Sequence, residues 1–516
     1  MKKTKPTNAA MDTLLSAIPH DGRPWYRVPH LLHLNCLIFG MLLFSATVGY
    51  DTALMNGLQS IAQWQTFMER PTGAWLGFIG AIQSVGGLVA MPLQAWCSNR
   101  FGRKSCIWVG YVFIIIGVAM QAAASTPTLF IVSRVFIGHS CAWFQSAAIL
   151  VTELAYPSHR SKLVAMYNCM FYVGSSLAAW VTFGCRNMGS SWSWRIPVLL
   201  QIAFPLISLP VTFLCPESPR WLLRNNRRDE AVRVLTMYHA GGDEAAPIVS
   251  LQMQEMTDSI RQEDEVGKST RWIHMVKTKG NRHRLHISVT LGIAAQWNGQ
   301  GVVSYYLNLI LNTIGITSAT DQTLINACLQ VWNIIFAAIG SLLVDRAGRR
   351  LLFLISTIIM LVSYICLTGL AGGFNMTGVS AVGTAVIPFL FIYYAGYDLA
   401  YTPLLIAYPA EIWPYPLRSK GVALTYMCTY AALLFNQFVN PIAMDSIGWK
   451  YYIVYIAILV VILVNVWFTY PETRGHSLEE VAVVFDDLDR VGTAETKASE
   501  MGAADHREDV QAFKES

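Results

Sequence analysis

The 516-residue chain holds twelve apolar runs, each long enough to cross the hydrocarbon core of a bilayer as a helix of about 20 residues. They fall at about 33–57, 74–97, 106–124, 128–151, 163–185 and 194–215, then at about 285–312, 323–344, 351–371, 381–408, 420–440 and 449–470. Lipid offers no partner to a bare backbone N–H or C=O, so a run of this length in lipid has to satisfy its own hydrogen bonds as a helix. The expectation is an all-α membrane protein with six spans, a polar interval and six more. Composition supports this: 54% of residues are apolar, 13% are charged, and the mean hydropathy is +0.41. A soluble chain of this size needs far more charged surface.

Three motifs occur twice, in the same order, about 250 residues apart. Glu153-Leu-Ala-Tyr-Pro-Ser-His-Arg160-Ser-Lys162 is echoed by Glu411-Ile-Trp-Pro-Tyr-Pro-Leu-Arg418-Ser-Lys420. Asn99-Arg100-Phe-Gly102-Arg103-Lys104 is echoed by Asp345-Arg346-Ala-Gly348-Arg349-Arg350, and Pro216-Glu217-Ser-Pro-Arg220 by Pro471-Glu472-Thr-Arg474. Repeats at this period point to a duplicated half. The implied organisation is an N-terminal tail (1–32), a six-helix bundle (33–215), a linker of short amphipathic helices (216–282), a second bundle (283–471) and a C-terminal tail (472–516). The tail beyond about Val491 is small and polar, a composition that favours disorder.

The net charge of +5 is distributed by side. Arg100, Arg103, Lys104, Arg160, Arg346, Arg349 and Arg418 fall in loops on the same side as the termini, whereas the other side carries few basic residues, such as Arg70, Arg186, Arg195 and Lys450. By the positive-inside rule both termini are cytoplasmic, and the sequon Asn375-Met-Thr377 falls in an outer loop where glycosylation is possible. The charge thus describes orientation and not nucleic-acid binding. Ten cysteines lie scattered without CxxC or metal-ligand spacing, so no metal, cofactor or disulfide framework is expected. No nucleophile constellation or phosphate loop stands in a polar context, so the chain is not expected to be an enzyme.

A carboxylate at one helix end and an arginine at another make an ion pair that forms or breaks as two bundles rock. On that reasoning Glu153, Arg160, Glu411, Arg418, Arg100 and Arg346 are expected to form a latch at the cytoplasmic end. Over nearly its whole length the chain resembles the sugar porter family of the major facilitator superfamily. The residues that carry the resemblance are the two Arg-x-Gly-Arg loops, Pro216-Glu-Ser-Pro-Arg-Trp-Leu-Leu223, Pro409-Ala-Glu-Ile-Trp-Pro-Tyr-Pro-Leu-Arg418 and Pro471-Glu-Thr-Arg-Gly475. The resemblance implies twelve helices in two pseudo-symmetric six-helix bundles, a central sugar site, alternating access and a plasma-membrane location. It also adds Arg103, Arg349, Glu217, Arg220 and Glu472 to the cytoplasmic gate.

Asp51 lies inside the first span, where a charge costs at least ~2.5 kcal/mol without a partner or a function. Arg134, opening the fourth span, is the nearest candidate partner. The resemblance implies that this pair couples protons to transport. The physics agrees, because burial disfavours the charged carboxylate and a nearby arginine favours it. A static buried ion pair is the alternative. A lone membrane histidine, His139, is expected to bond a neighbour.

A sugar is a ring of hydroxyls and needs amides and an aromatic face around it. The seventh span opens Ala295-Gln296-Trp-Asn298-Gly-Gln300-Gly301-Val-Val-Ser304-Tyr305, the pattern of a broken helix beside a polar cavity. Gln296, Asn298, Gln300 and Tyr305 are therefore expected to bind substrate, together with Asn168, Asn333 and Asn436. Asp398 and Tyr401, also expected to bind substrate, stand beside Thr402 and Pro403 at an expected break in the tenth span. Helix-to-helix hydrogen bonding is the bland alternative for any one of these.

Gly49-Tyr-Asp-Thr-Ala-Leu-Met-Asn-Gly57 and Gln296-Trp-Asn-Gly-Gln-Gly301 look closest to the fungal lactose-permease and cellodextrin-transporter branch, and small Ala295 and Gly301 suggest room for a second ring. The expected function is proton-coupled symport of a lactose- or cellobiose-like disaccharide or a hexose, by a monomer whose partners are sugar, protons and lipid. An uncoupled facilitator, a secondary-metabolite exporter and a transporter-like nutrient sensor are the alternatives.

Overall fold

The computed structural model describes residues 25–269, 272–474 and Phe485. The expectations of a helical segment after 472 and a disordered C-terminus lie largely outside those residues. The first six spans are Pro29–Leu58, Gly73–Phe101, Arg103–Ala122, Pro127–Leu154, Arg160–Cys185, and the pair Trp192–Leu199 and Ala203–Leu214 joined by a 3-10 turn. The next six are the pair Lys279–Trp297 and Gln300–Thr313, then Ala319–Ala347, Arg349–Thr377, Val386–Ile412, Tyr415–Ile447 and Tyr451–Thr469. Local chemistry sets the starts. Pro29 and Pro127 occupy first-turn positions where no N–H is needed, and Thr126 accepts from the Leu129 N–H.

The same pairings recur in each half. The first span packs along the fifth as the seventh does along the eleventh, and the third along the fourth as the ninth does along the tenth. Two seams join the halves, second against eleventh and fifth against eighth, and the pseudo-symmetry exchanges them. The first and fifth spans touch backbone to backbone: a Cβ on Gly49 would collide with the Phe171 carbonyl, and one on Gly174 with that of Ala46. Close approach through small residues is how membrane helices gain contact where lipid supplies no hydrophobic drive.

Four helices make up the described linker: Pro219–Arg224, Arg228–His239, Pro247–Ser269 and His274–Lys277. Leu235, Tyr238, Ile248 and Met253 pack with Leu31, Leu154 and Tyr156 in one apolar cluster. The linker is thereby fixed to the end of the first half that carries the arginine loops, called the basic end below. Each half has its own core. Tyr306 of the second half inserts into a cluster built from the first.

One expectation about the helices changes, and the expected break in the seventh span is present. The tenth span is continuous from Val386 to Ile412 with Pro403 and Pro409 inside it, so no break occurs at Asp398–Pro403. The seventh is interrupted twice: at Asn298-Gly299, where Gly299 takes φ 105°, and at Tyr306, whose φ/ψ of −138°/34° leaves the helical region. Prolines survive in membrane helices where neighbouring groups take up the freed carbonyls.

Candidate functional site

A cavity of about 390 Å³ lies between the halves. Its wall on the second span runs from Gly80 to Met91, on the tenth from Tyr394 to Ile406, and on the eleventh from Gln437 back to Tyr426. In each case the lining extends from mid-helix towards the basic end. Toward the opposite end, hydrogen bonds join the halves. Asn56 Nδ2 donates to Asn326 Oδ1 at 3.3 Å, Gln59 Nε2 to the Tyr305 carbonyl at 2.9 Å, and Arg186 Nε to Thr320 Oγ1 at 3.0 Å. At mid-height Ser84 Oγ donates to Gln437 Oε1 at 2.7 Å and Tyr172 Oη to Asp398 Oδ1 at 2.5 Å. The conformation is sealed at one end and has its cavity directed towards the other.

The break in the seventh span is built by amides from behind. Asn298 Oδ1 accepts from the Gln300 N–H at 3.0 Å and from Tyr393 Oη at 3.2 Å, and Tyr364 Oη donates to the Gly299 carbonyl at 2.9 Å. Asn436 Nδ2 donates to the Gln296 carbonyl at 2.6 Å. With its last turn tied this way, the helix turns Gln296 and Gln300 to the cavity. Gln296 Oε1, Gln300 Oε1, Asn333 Oδ1 and Gln59 Oε1 are buried without a partner, and all four residues line the cavity. These are carbonyl oxygens, so the groups that would satisfy them are hydrogen-bond donors.

Of the expected substrate residues, Asn168, Gln296, Gln300, Tyr305, Asn333 and Tyr401 line the cavity. Asn298, Asp398 and Asn436 do not: they are at most 3% exposed and are engaged behind the wall. Asp398 Oδ1 is shared by Tyr172 and Thr402 Oγ1, the latter at 2.8 Å, while Oδ2 is buried without a partner. Ala295 and Gly301 also face away. Ala295 is fully buried and its carbonyl accepts from Tyr397 Oη, and a Cβ on Gly301 would meet Asn436 and Asn440. Their small size tightens packing on the tenth and eleventh spans and opens no room for a second ring.

Asp51 is 2% exposed. Arg134 is not its direct partner in this conformation, because Arg134 Nε donates to the Ile79 carbonyl and Nη2 to Gln83 Oε1, both at 2.9 Å. The carboxylate instead accepts from the Cys141 thiol at 3.3 Å, and its Oδ1 has no partner. Gln83 Nε2 approaches Cys141 Sγ at 4.0 Å, so Cys141 and Gln83 form a polar chain between Asp51 and Arg134. His139 Nδ1 lies 3.2 Å from the Val135 carbonyl one turn back.

At the basic end the paired motifs form one arrangement twice. Gly102 and Gly348 take φ of 98° and 96°, which places Arg103 and Arg349 at the first position of the next helix. Arg103 Nε and Nη2 donate to Glu153 at 2.9 and 3.0 Å, and Arg349 Nε and Nη2 donate to Glu411 at 3.1 and 2.9 Å. Glu217 accepts the N–H groups of Arg103 and Lys104, each at 3.1 Å. Glu472 accepts those of Arg349 and Arg350 at 2.8 and 3.1 Å. Both carboxylates sit at helix N-termini, where unsatisfied N–H groups favour an anion.

These pairs lie within one half each. The second arginine of each loop, and not Arg100 or Arg346, holds the glutamate; Arg100 and Arg346 are exposed in the last turn of the preceding helix. Arg160 Nε is buried without a partner, and Arg418 Nε reaches the Trp413 carbonyl at 3.5 Å. Arg220 lies in the first linker helix, next to that network. Asn375 is exposed in the last turn of the ninth span at the sealed end.

Several lining residues escaped the sequence reading: Gln83, Gln330, Tyr167, Tyr426 and Tyr430, with Cys141 beside Asp51. Their signal was helical phase. Tyr426, Tyr430, Leu433 and Gln437 recur at i, i+4, i+7 and i+11, one stripe of the eleventh span.

A family profile described as "Sugar (and other) transporter" matches residues 37–485. Among curated proteins, the chain is 29% identical over 446 residues to the MFS-type transporter oryC of Aspergillus oryzae, covering 84% of this chain and 82% of that one. It is 25% identical to a high-affinity glucose transporter of Kluyveromyces lactis, covering 92% and 89%. Among solved structures, the inward open conformation of the xylose transporter XylE from E. coli superposes with a TM-score of 0.72 at 23% identity, over 87% of this chain and 99% of that one. At that identity the likeness speaks for the fold.

Proposed function

The chain belongs to the sugar (and other) transporter family, and from that premise we propose that it carries a neutral sugar by proton-coupled alternating access. The observation that carries the reading is the set of orphaned amide oxygens, Gln296 Oε1, Gln300 Oε1 and Asn333 Oδ1, on the wall of a cavity between two bundles. A sugar ring presents hydroxyl donors in several directions and relieves all three at once. Arg134 on the same wall disfavours a cationic solute.

Proton coupling is read from Asp51. A buried carboxylate with one unpartnered oxygen is costly as an anion, and a proton relieves that cost. Arg134, turned towards Gln83 here, competes with the proton if it swings back when the halves rock. Asp51 and Arg134 are thus assigned to coupling, and Asn168, Gln296, Gln300, Tyr305, Asn333 and Tyr401 to the substrate. Asn298 and Asn436 act indirectly, by holding the helix break. Asp398 acts through Tyr172 at the seam. The motif carboxylates hold each bundle rigid at its basic end, which the positive-inside rule puts in the cytoplasm together with both termini. Insertion in the plasma membrane, glycosylation at Asn375 and a monomeric state complete the reading.

The test is uptake in a yeast lacking its own sugar transporters, with external pH recorded. Labelled lactose, cellobiose, maltose, glucose and xylose are supplied with and without an uncoupler. Uncoupler-sensitive accumulation with external alkalinisation supports symport. Uncoupler-insensitive equilibration of a sugar refutes coupling and leaves a facilitator. No uptake, with the protein shown at the cell surface, refutes sugar import.

A further inference from the structure

We propose that the preferred cargo is a glycoside with an aromatic aglycone, its sugar held by the amides of the seventh and eighth spans and its aromatic ring by a cage of four tyrosines. The inference rests on the transport reading above and narrows its substrate class.

Nine tyrosines line the cavity, and their hydroxyls divide them. Tyr172 is tied to Asp398, Tyr306 to the Gln437 carbonyl, Tyr394 to Ser304, Tyr397 to the Ala295 carbonyl and Tyr401 to Thr357. These five are parts of the wall. Tyr167, Tyr305, Tyr426 and Tyr430 have no side-chain hydrogen bond and no ring partner among the described residues; Tyr167 and Tyr305 pack in part against apolar clusters built from the first half, and the hydroxyls and open ring surfaces of the four are left to the cavity.

The four converge from both halves. Tyr167 is on the fifth span, Tyr305 on the seventh, and Tyr426 and Tyr430 one turn apart on the eleventh. All four line the same cavity. Along the eleventh span, Tyr430 is seven residues from Gln437 at the amide level, a rise of about 10 Å. That suits two linked rings better than one.

The chemistry around the cage selects the second ring. Leu405, Ile406, Leu433 and Phe171 share this part of the wall. A second sugar would press part of its hydroxylated rim against these hydrocarbon edges, which satisfy none of it, and leave the four tyrosine hydroxyls and Asn168 to answer the rest. An aromatic ring offers faces and edges that pack against tyrosine in stacked or edge-on geometry. A quaternary ammonium is the other usual occupant of an aromatic cage, and Arg134 on the same cavity opposes it.

The test is ligand-dependent thermal stabilisation of the purified full-length protein. The probes are glucose, xylose, their p-nitrophenyl β-glycosides, and cellobiose. We expect each aryl glycoside to half-saturate at a concentration about tenfold or more below its parent sugar, which one or two aromatic pairs supply. Tyr430→Leu should bring that ratio close to one, while Tyr430→Phe should keep it. Parent sugars that bind with no aryl advantage overturn the cage and leave the transport reading standing. A cellobiose gain that equals the aryl gain and is lost in Tyr430→Leu assigns the cage to a second sugar and overturns the aglycone. Silence from every probe overturns the sugar reading and the inference with it.

Discussion

Asn56 offers a direct test of how the sealed end is held. The kink at Tyr306 removes the helical partner of the next N–H, and that orphan, Leu307 N, donates to Asn56 Oδ1 from the opposite half at 3.2 Å. The same side chain gives Nδ2 to Asn326 Oδ1 at 3.3 Å, so one buried amide makes two bonds across the seam. Each neutral hydrogen bond contributes about 0.5–1.5 kcal/mol net, so Asn56→Ala removes about 1–3 kcal/mol from the sealed conformation. In the conformation where that end is open, neither bond can form. The variant should therefore shift the equilibrium towards it by about 5- to 150-fold. Spin labels at Thr72 and Ser446, both exposed beside the seam of the second and eleventh spans, report the change as a longer inter-label distance. A distance distribution that shifts by less than twofold in population refutes the assignment of Asn56 as a seal.

Three further perturbations test separate parts of the reading. Asp51→Asn should abolish uphill accumulation while sparing sugar counterflow, and retained accumulation would remove Asp51 from coupling. Gly102→Ala and Gly348→Ala should each cost about 1–3 kcal/mol, because each residue has positive φ and a Cβ there runs into Glu217 or Glu472. Thermal unfolding of both variants checks this, and a wild-type Tm in either contradicts the shared geometry. His239 in the linker is held below its ordinary value of 6.5, first by burial, with Arg160 and His30 lowering it further, and bonds to Leu154 and Gln252 opposing. A depressed histidine contributes stability above the unfolded value, and that stability is lost as pH falls through the folded value. Hydrogen-exchange protection in Arg228–His239, taken relative to the intrinsic rate at each pH, should therefore fall below about pH 6.5, and a His239→Gln variant should lack this dependence.

The twelve spans, the doubling and the glycine turns were legible because each is a local property: a run length, a period, or a backbone conformation that one residue type favours. Helical phase was not legible to the same degree, and it decided most of the site. Asn436 and Gln437 are neighbours in sequence, about 100° apart around their helix; one ties the break in the seventh span and the other lines the cavity. Arg100 and Arg103 differ by a single turn of chain around Gly102, and Arg103 alone holds Glu153. Asp51 and Arg134 stand out in the sequence because a charge inside a membrane span is costly. The thiol and amide that stand between them left no mark a sequence pattern could carry.

This division bears on how the protein moves. The most specific motifs, with their bidentate arginine–glutamate pairs and capped helix ends, bind each bundle to itself. They make two bodies stiff and cannot choose between the conformations those bodies adopt, since a bond kept in both states biases neither. The choice falls to bonds that exist on one side of the rocking motion, such as those of Asn56, Ser84, Tyr172 and Arg186 across the seams. Tyr172 is the most informative of these, because its partner Asp398 is a buried carboxylate with a second oxygen unsatisfied. A seam bond to such a group weakens or strengthens with the carboxylate's charge.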